Sequence, residues 1–173
     1  GITYDQATDS MYVVNMFDNR IYRITGAANG TGTVDSVSYL PDPTVLGVSN
    51  GFQAVPFGLD IHDGRLYYTV HDFTGNGSLV VRSIAIDSSG AMQTATDQLE
   101  INQVMANTFT NFVEGYPVVA DIDFNASGDM SVGSFTTGPL FGTVPSDYEC
   151  GDTSSVYNHT AGVYTFSQAG GLW

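Results

Sequence analysis

Apolar and polar residues alternate along three stretches of this chain, and a short polar turn interrupts each stretch. The first runs Gly1-Ile-Thr-Tyr-Asp5, turns, and resumes as Met11-Tyr-Val-Val14. The second runs Gly58-Leu-Asp-Ile-His62, turns tightly at Asp63-Gly64, and resumes as Leu66-Tyr-Tyr-Thr-Val70. The third runs Asp121-Ile-Asp-Phe-Asn125, turns through Ala126-Ser-Gly128, and resumes as Met130-Ser-Val-Gly133. A period of two around turns of Asp, Asn, Ser and Gly predicts a β-hairpin in each case. Ile2, Leu59 and Ile122 take equivalent places, at intervals of 57 and 63 residues.

A third strand is predicted after each hairpin, at Arg20–Ile24, Leu79–Ile86 and Gly162–Phe166. A fourth is expected in the first two copies, near Val34–Leu40 and Gln98–Ile101; in the third copy the chain reaches Trp173 before one. Four antiparallel strands per unit describe a propeller blade. The expected fold is therefore all-β: a single partial β-propeller over residues 1–173, with blade-like repeats at about 1–53, 54–116 and 117–173. The last blade is incomplete. Three blades cannot close a ring, so they read as part of one with about six to eight blades, or as units whose ends neighbouring subunits cover. A sandwich is the competing arrangement. Ile101, Val104, Met105, Phe109, Phe112 and Val113 recur at helical spacing. Asn102, Asn107, Thr108, Thr110 and Asn111 are poor helix formers, so this stretch reads as a connection between the second and third blades.

Composition narrows the function classes. Eighteen acidic residues face four arginines and no lysine, for a net charge of -14. No basic surface for a phosphate backbone can be assembled from four arginines, which excludes a nucleic-acid partner. Attraction to anionic lipid is excluded on the same ground, and no apolar run is long enough for membrane insertion. The sequence reads as a mature chain or as an internal stretch of a longer polypeptide. Cys150 is the only cysteine. It reads as a small packing residue or as half of a disulfide with a partner elsewhere, and nothing around it and His159 resembles a nucleophile site.

The phrase Pro56-Phe-Gly-Leu-Asp-Ile-His-Asp-Gly-Arg-Leu-Tyr67 resembles the propeller region of large secreted bacterial surface proteins, adhesin-like chains that also carry serine-aspartate-type B-domain repeats. Tyr4–Asn15 with Asn19–Tyr22 is similar to the preceding blade of that family, and Asp121–Met130 to the following one. The matches run from the N-terminus to about Phe135. A charged stretch follows in the family, whereas Ser134–Gly142 here is neutral. The resemblance implies an extracellular or cell-surface protein serving adhesion or surface structure, and implies no chemistry.

Asp121, Asp123, Asn125 and Asp129 are the candidate metal ligands. Oxygen donors at alternate positions suit a hard cation such as calcium, although the glycine falls at the eighth position where an EF-hand loop needs it at the sixth. The competing reading is a strand edge followed by an Asx-stabilised turn. His62, His71 and His159 have no metal-site spacing. No nucleophile elbow, phosphate loop, dinucleotide fingerprint or zinc-protease motif occurs, and Glu100, Glu114 and Glu149 form no pair in sequence. Asn29, Asn76, Asn125 and Asn158 begin glycosylation sequons. Tyr148 and Tyr157 sit in the insertion Gly142–Ala161, the expected recognition loop, and Trp173 is a further exposed-aromatic candidate.

The expected function is a non-catalytic extracellular propeller module for surface adhesion, with calcium as a candidate stabilising ion. Its partners are further blades of the same polypeptide or neighbouring subunits. One alternative is a calcium-dependent, lactonase-like hydrolase of the six-bladed type, for which Asp60, Asp121 and Asp123 are the nominees. The other is a structural subunit of an extracellular assembly.

Overall fold

The computed structural model describes residues 1–35, 38–41, 54–72, 78–104, 116–137 and 161–167. They form three antiparallel sheets, and no α-helix occurs among them. The first sheet holds β1 (Ile2–Asp5), β2 (Ser10–Asn15), β3 (Arg20–Thr25) and β4 (Thr33–Val34) in chain order. The second holds β5 (Ala54–His62), β6 (Arg65–Asp72), β7 (Ser78–Ala85) and β8 (Gln98–Val104), again in order. The third holds β9 (Tyr116–Phe124), β10 (Met130–Thr137) and β11 (Ala161–Phe166). Each sheet is thus a simple meander. The fourth strand expected near Val34–Leu40 is reduced to two residues, and Tyr39 returns alone to bridge Ile21. Of the segment with helical spacing, Ile101 to Val104 complete β8, and 105–115 lie outside the described residues. The insertion at 142–160 lies outside them as well.

Turn chemistry fixes the hairpin registers. Asp63 and Gly64 both take positive φ, 45° and 73°, between the paired residues His62 and Arg65. A two-residue loop with positive φ at both positions matches the right-handed strand twist, and Asp-Gly tolerates it. The resulting registers agree across the sheets. Ile2 faces Val13, Leu59 faces Tyr68, and Ile122 faces Val132.

The second sheet is packed on both faces. Leu66, Tyr68, Val70, Val80 and Ile84 share one core with Tyr12, Val14 and Ile21 of the first sheet. Tyr67, Leu79, Val81 and Ile101 share another with Val119, Ile122, Met130 and Val132 of the third. Successive side chains of a strand point to opposite faces. That is why β6 and β7 read as nearly unbroken apolar runs. Each fully buried Leu, Ile or Val contributes about 1.5–3 kcal/mol relative to exposure.

The sheets do not stack evenly. Their most extensive backbone approaches involve a first strand: β1 and β2 with β5, and β5 and β6 with β9. The sheets therefore converge at their first strands and fan apart beyond them. Glycine permits the convergence. A Cβ on Gly1 would stand 2.0 Å from the Phe57 carbonyl oxygen, and one on Gly58 would stand 3.1 Å from the Ala120 carbonyl oxygen.

Candidate functional site

Convergence of the first strands brings Thr3, Asp60 and Asp123 to corresponding positions on β1, β5 and β9. Thr3 Oγ1 donates to Asp60 Oδ1 at 3.3 Å. Burial raises the Asp60 carboxyl above the ordinary Asp range. The neighbouring charge of Asp123 adds to that rise, while the amides of Ile61 and Phe124 and the Thr3 hydroxyl oppose it. This edge of the fan sets the Thr3 hydroxyl and the Asp60 and Asp123 carboxylates in one row.

The candidate ligands Asp121, Asp123, Asn125 and Asp129 divide between two settings. Asp121 and Asp123 are exposed on β9, opposite Gly133 and Ser131. Asn125 and Asp129 close the following turn: Asn125 Oδ1 accepts from the amides of Ser127 (2.8 Å) and Asp129 (2.9 Å), and Asn125 Nδ2 donates to Asp129 Oδ2 at 2.9 Å. That is an Asx turn, satisfied by its own backbone. Among the described residues, no three His, Cys, Asp or Glu side chains gather as a metal group.

His62 stacks on Phe124 of the third sheet, with centroids 4.4 Å apart and planes 7° from parallel, and Tyr67 tilts against the same ring at 4.7 Å. Its Nε2 lies 3.4 Å from Asp63 Oδ2. His62 thus joins the second and third sheets. Asn29 and Asn125 of the sequons are exposed. Cys150, His159, Glu114, Glu149, Asn76, Asn158, Tyr148, Tyr157 and Trp173 lie outside the described residues, as does the side chain of His71.

Two polar junctions were not anticipated from the sequence. Arg82 is 3% exposed, and its Nε donates to Asp97 Oδ1 at 3.1 Å. The Tyr68 hydroxyl donates to the same carboxylate at 2.9 Å, and the Tyr39 hydroxyl of the first sheet also donates to it. Burial, reinforced by Asp97, holds both phenols well above their ordinary range. A charged residue within the apolar run Leu79–Ile86 was the available signal, because a buried charge requires a partner. The second junction is Thr69. Its hydroxyl accepts from the Gly58 amide at 2.7 Å and donates to the Val119 carbonyl oxygen at 2.9 Å. The bulge between Pro56 and Leu59 takes Gly58 off the strand ladder, and Thr69 supplies its partner.

Among known proteins, no family model and no curated sequence matches this chain.

Proposed function

We propose that the protein is a non-catalytic, extracellular β-propeller module of a bacterial surface or adhesion protein, with calcium as a candidate stabilising ion. The observation that carries this reading is the fan: three meander sheets pack face to face and converge at their first strands. Blades of a propeller are arranged in this way around a central channel, and the present sheets form an arc of a larger ring. The resemblance of Pro56–Tyr67 to bacterial surface propellers supports the extracellular setting. The net charge of -14 is compatible with a salty or calcium-containing milieu that screens it. Function then resides in what the surface binds.

Two experiments on the purified protein and its source cells test this. Surface labelling of intact cells is expected to reach the protein. A panel of lactones, esters and phosphoesters, with and without calcium, is expected to show no turnover. A protein confined to the cytoplasm would contradict the reading.

A second reading, the calcium-dependent hydrolase, draws on the row of Thr3, Asp60 and Asp123, where Asp60 and Asp123 are close enough for one charge to perturb the other. Calcium-dependent turnover that Asp60→Asn abolishes would replace the first reading with this one.

A further inference from the structure

Asn29 stands in a setting unlike that of the other described asparagines. It ends the short 3-10 turn Ala27–Asn29, and Gly30 follows it. The turn buries none of its residues and has no side-chain cap. Gly26 and Gly30 flank it at φ 70° and 68°, and its closing bond, from the Gly30 amide to the Ala27 carbonyl oxygen, is 3.2 Å long. Asn29 is exposed, and among the described residues no hydrogen bond holds its side chain. A Cβ on Gly30 would meet nothing within 4 Å. The Gly30 nitrogen can therefore turn onto the Asn29 side-chain carbonyl carbon once a single long bond opens. Exposed segments with few buried contacts open at the lowest cost in a fold, and glycine reaches the required backbone angles without steric penalty.

The other described asparagines lack this combination. Asn125 is equally exposed, but its Oδ1 accepts from the amides of Ser127 and Asp129 and its Nδ2 donates to Asp129. Those bonds fix the side chain, and Ala126 follows it. Asn15 Oδ1 accepts from the Phe17 amide at 3.0 Å, and Met16 follows. Arg20 follows Asn19, and Asn102 lies within β8 before Gln103. In each case the Cβ of the following residue crowds the amide nitrogen that would have to react. Asn50 and Asn76 also precede glycine and lie outside the described residues.

We propose that Asn29 is a site of spontaneous deamidation and backbone isomerisation. The Gly30 nitrogen bonds to Asn29 Cγ, and the bond from Cγ to Nδ2 breaks. Nδ2 leaves as ammonia, carrying the proton that the Gly30 nitrogen gives up. Water then opens the five-membered imide. Cleavage between the Gly30 nitrogen and Cγ leaves aspartate; cleavage between that nitrogen and the main-chain carbonyl carbon leaves isoaspartate, with the chain routed through the side chain. Water enters, ammonia leaves, and nothing is oxidised or reduced. This inference is independent of both functional readings above.

The product forms beside an acidic anchor. Asp9 Oδ1 accepts from the Ala28 amide at 2.9 Å, and the Asp9 carbonyl oxygen accepts from the Gly26 amide at 3.0 Å. These bonds tie the turn to the first hairpin. A carboxylate at position 29 adds negative charge one residue from the amide that Asp9 holds, on a chain that already carries -14. The isoaspartate form also inserts a methylene into the backbone between Ala27 and Gly30, where the closing bond is already long. Both changes loosen the turn from Asp9.

Peptide mapping by fragmentation mass spectrometry tests the proposal on the 173-residue protein, aged in mildly alkaline buffer both folded and in denaturant. In the folded protein, position 29 is expected to convert to a mixture of aspartate and isoaspartate. The conversion is expected to be many-fold faster than at Asn15, Asn19, Asn102 or Asn125, and within several-fold of the rate at position 29 in the denatured chain. Asn29→Gln is expected to abolish the acidic species assigned to this position. An Asn29 that converts when denatured and stays intact when folded overturns the proposal, because the fold would then protect it. So does an Asn29 that converts in neither state, or no faster than Asn125 when folded. Hydrogen exchange of the Gly26 and Ala28 amides is expected to quicken several-fold in the aged protein and not in Asn29→Gln aged alongside it; equal exchange in both overturns the loosening of the turn.

Discussion

Thr69 places two inter-strand bonds on one hydroxyl, between the Gly58 amide and the Val119 carbonyl. Thr69→Val preserves shape and removes both bonds, leaving two buried backbone groups unpaired. Each such group costs about 1–3 kcal/mol. Chemical denaturation is therefore expected to show a loss of at least about 2 kcal/mol, larger than that of an exposed substitution such as Thr94→Val. Arg82 and Asp97 form a buried charge pair, and removing one charge strands the other. Arg82→Met is expected to cost about 3–5 kcal/mol, and the double change with Asp97→Asn to cost less than the single one. If the double variant loses as much as the two single variants added together, the pair is not coupled. Neither junction could be read from local pattern, because the partners lie 11 to 58 positions apart. Alternation locates a strand face; it does not say which distant donor meets which acceptor.

At the scale of strands and turns much more was legible. Asp63-Gly64 identified its hairpin, and the alternation through Leu59, Ile61, Leu66 and Tyr68 identified the face that packs on the first sheet. The continuous run Leu79-Val-Val-Arg-Ser-Ile gave the strand but not its two-sided burial, since a run without alternation does not name its faces. The candidate ligands were legible as a strand and a turn. What the turn does with Asn125 and Asp129 needed the geometry, because an Asx turn and an ion loop draw on the same residue types.

Titration follows from the same elements. Burial pushes the Tyr12 phenol up to about 12, and Tyr39 and Tyr68 are also raised. A group that keeps its proton more tightly when folded stabilises the fold below its unfolded value, about 10 for tyrosine, and that stability is lost as pH rises through the folded value. Alkaline unfolding is expected to begin above pH 10, with tyrosinate absorbance rising together with loss of β-sheet circular dichroism. Tyrosinate appearing for all ten tyrosines near pH 10 with the sheets intact would contradict the burial of these three. Asp60 is raised as well, so its contribution is greatest below the ordinary Asp value and fades as pH climbs through the folded one. Asp60→Asn is therefore expected to raise the unfolding midpoint at pH 7 and to have little effect near pH 3. The gain is small, because Asp60 remains partly exposed.

For the whole molecule, self-repulsion among 18 carboxylates and only four arginines opposes compaction. Raising sodium chloride from low ionic strength to about 0.15 M shortens the Debye length to about 8 Å and is expected to raise the unfolding midpoint. A midpoint that falls with salt would mean that ion pairs such as Arg82–Asp97 outweigh the repulsion. The central claim is that the three sheets stand side by side, the second between the others, with β1, β5 and β9 innermost. A crystal structure of the protein tests it most directly. The account predicts Tyr12 and Ile21 against Leu66 and Tyr68, and Val81 against Ile122 and Met130, with the first strands adjacent. First and third sheets packed directly on each other as a sandwich, with the second at an edge, would contradict it.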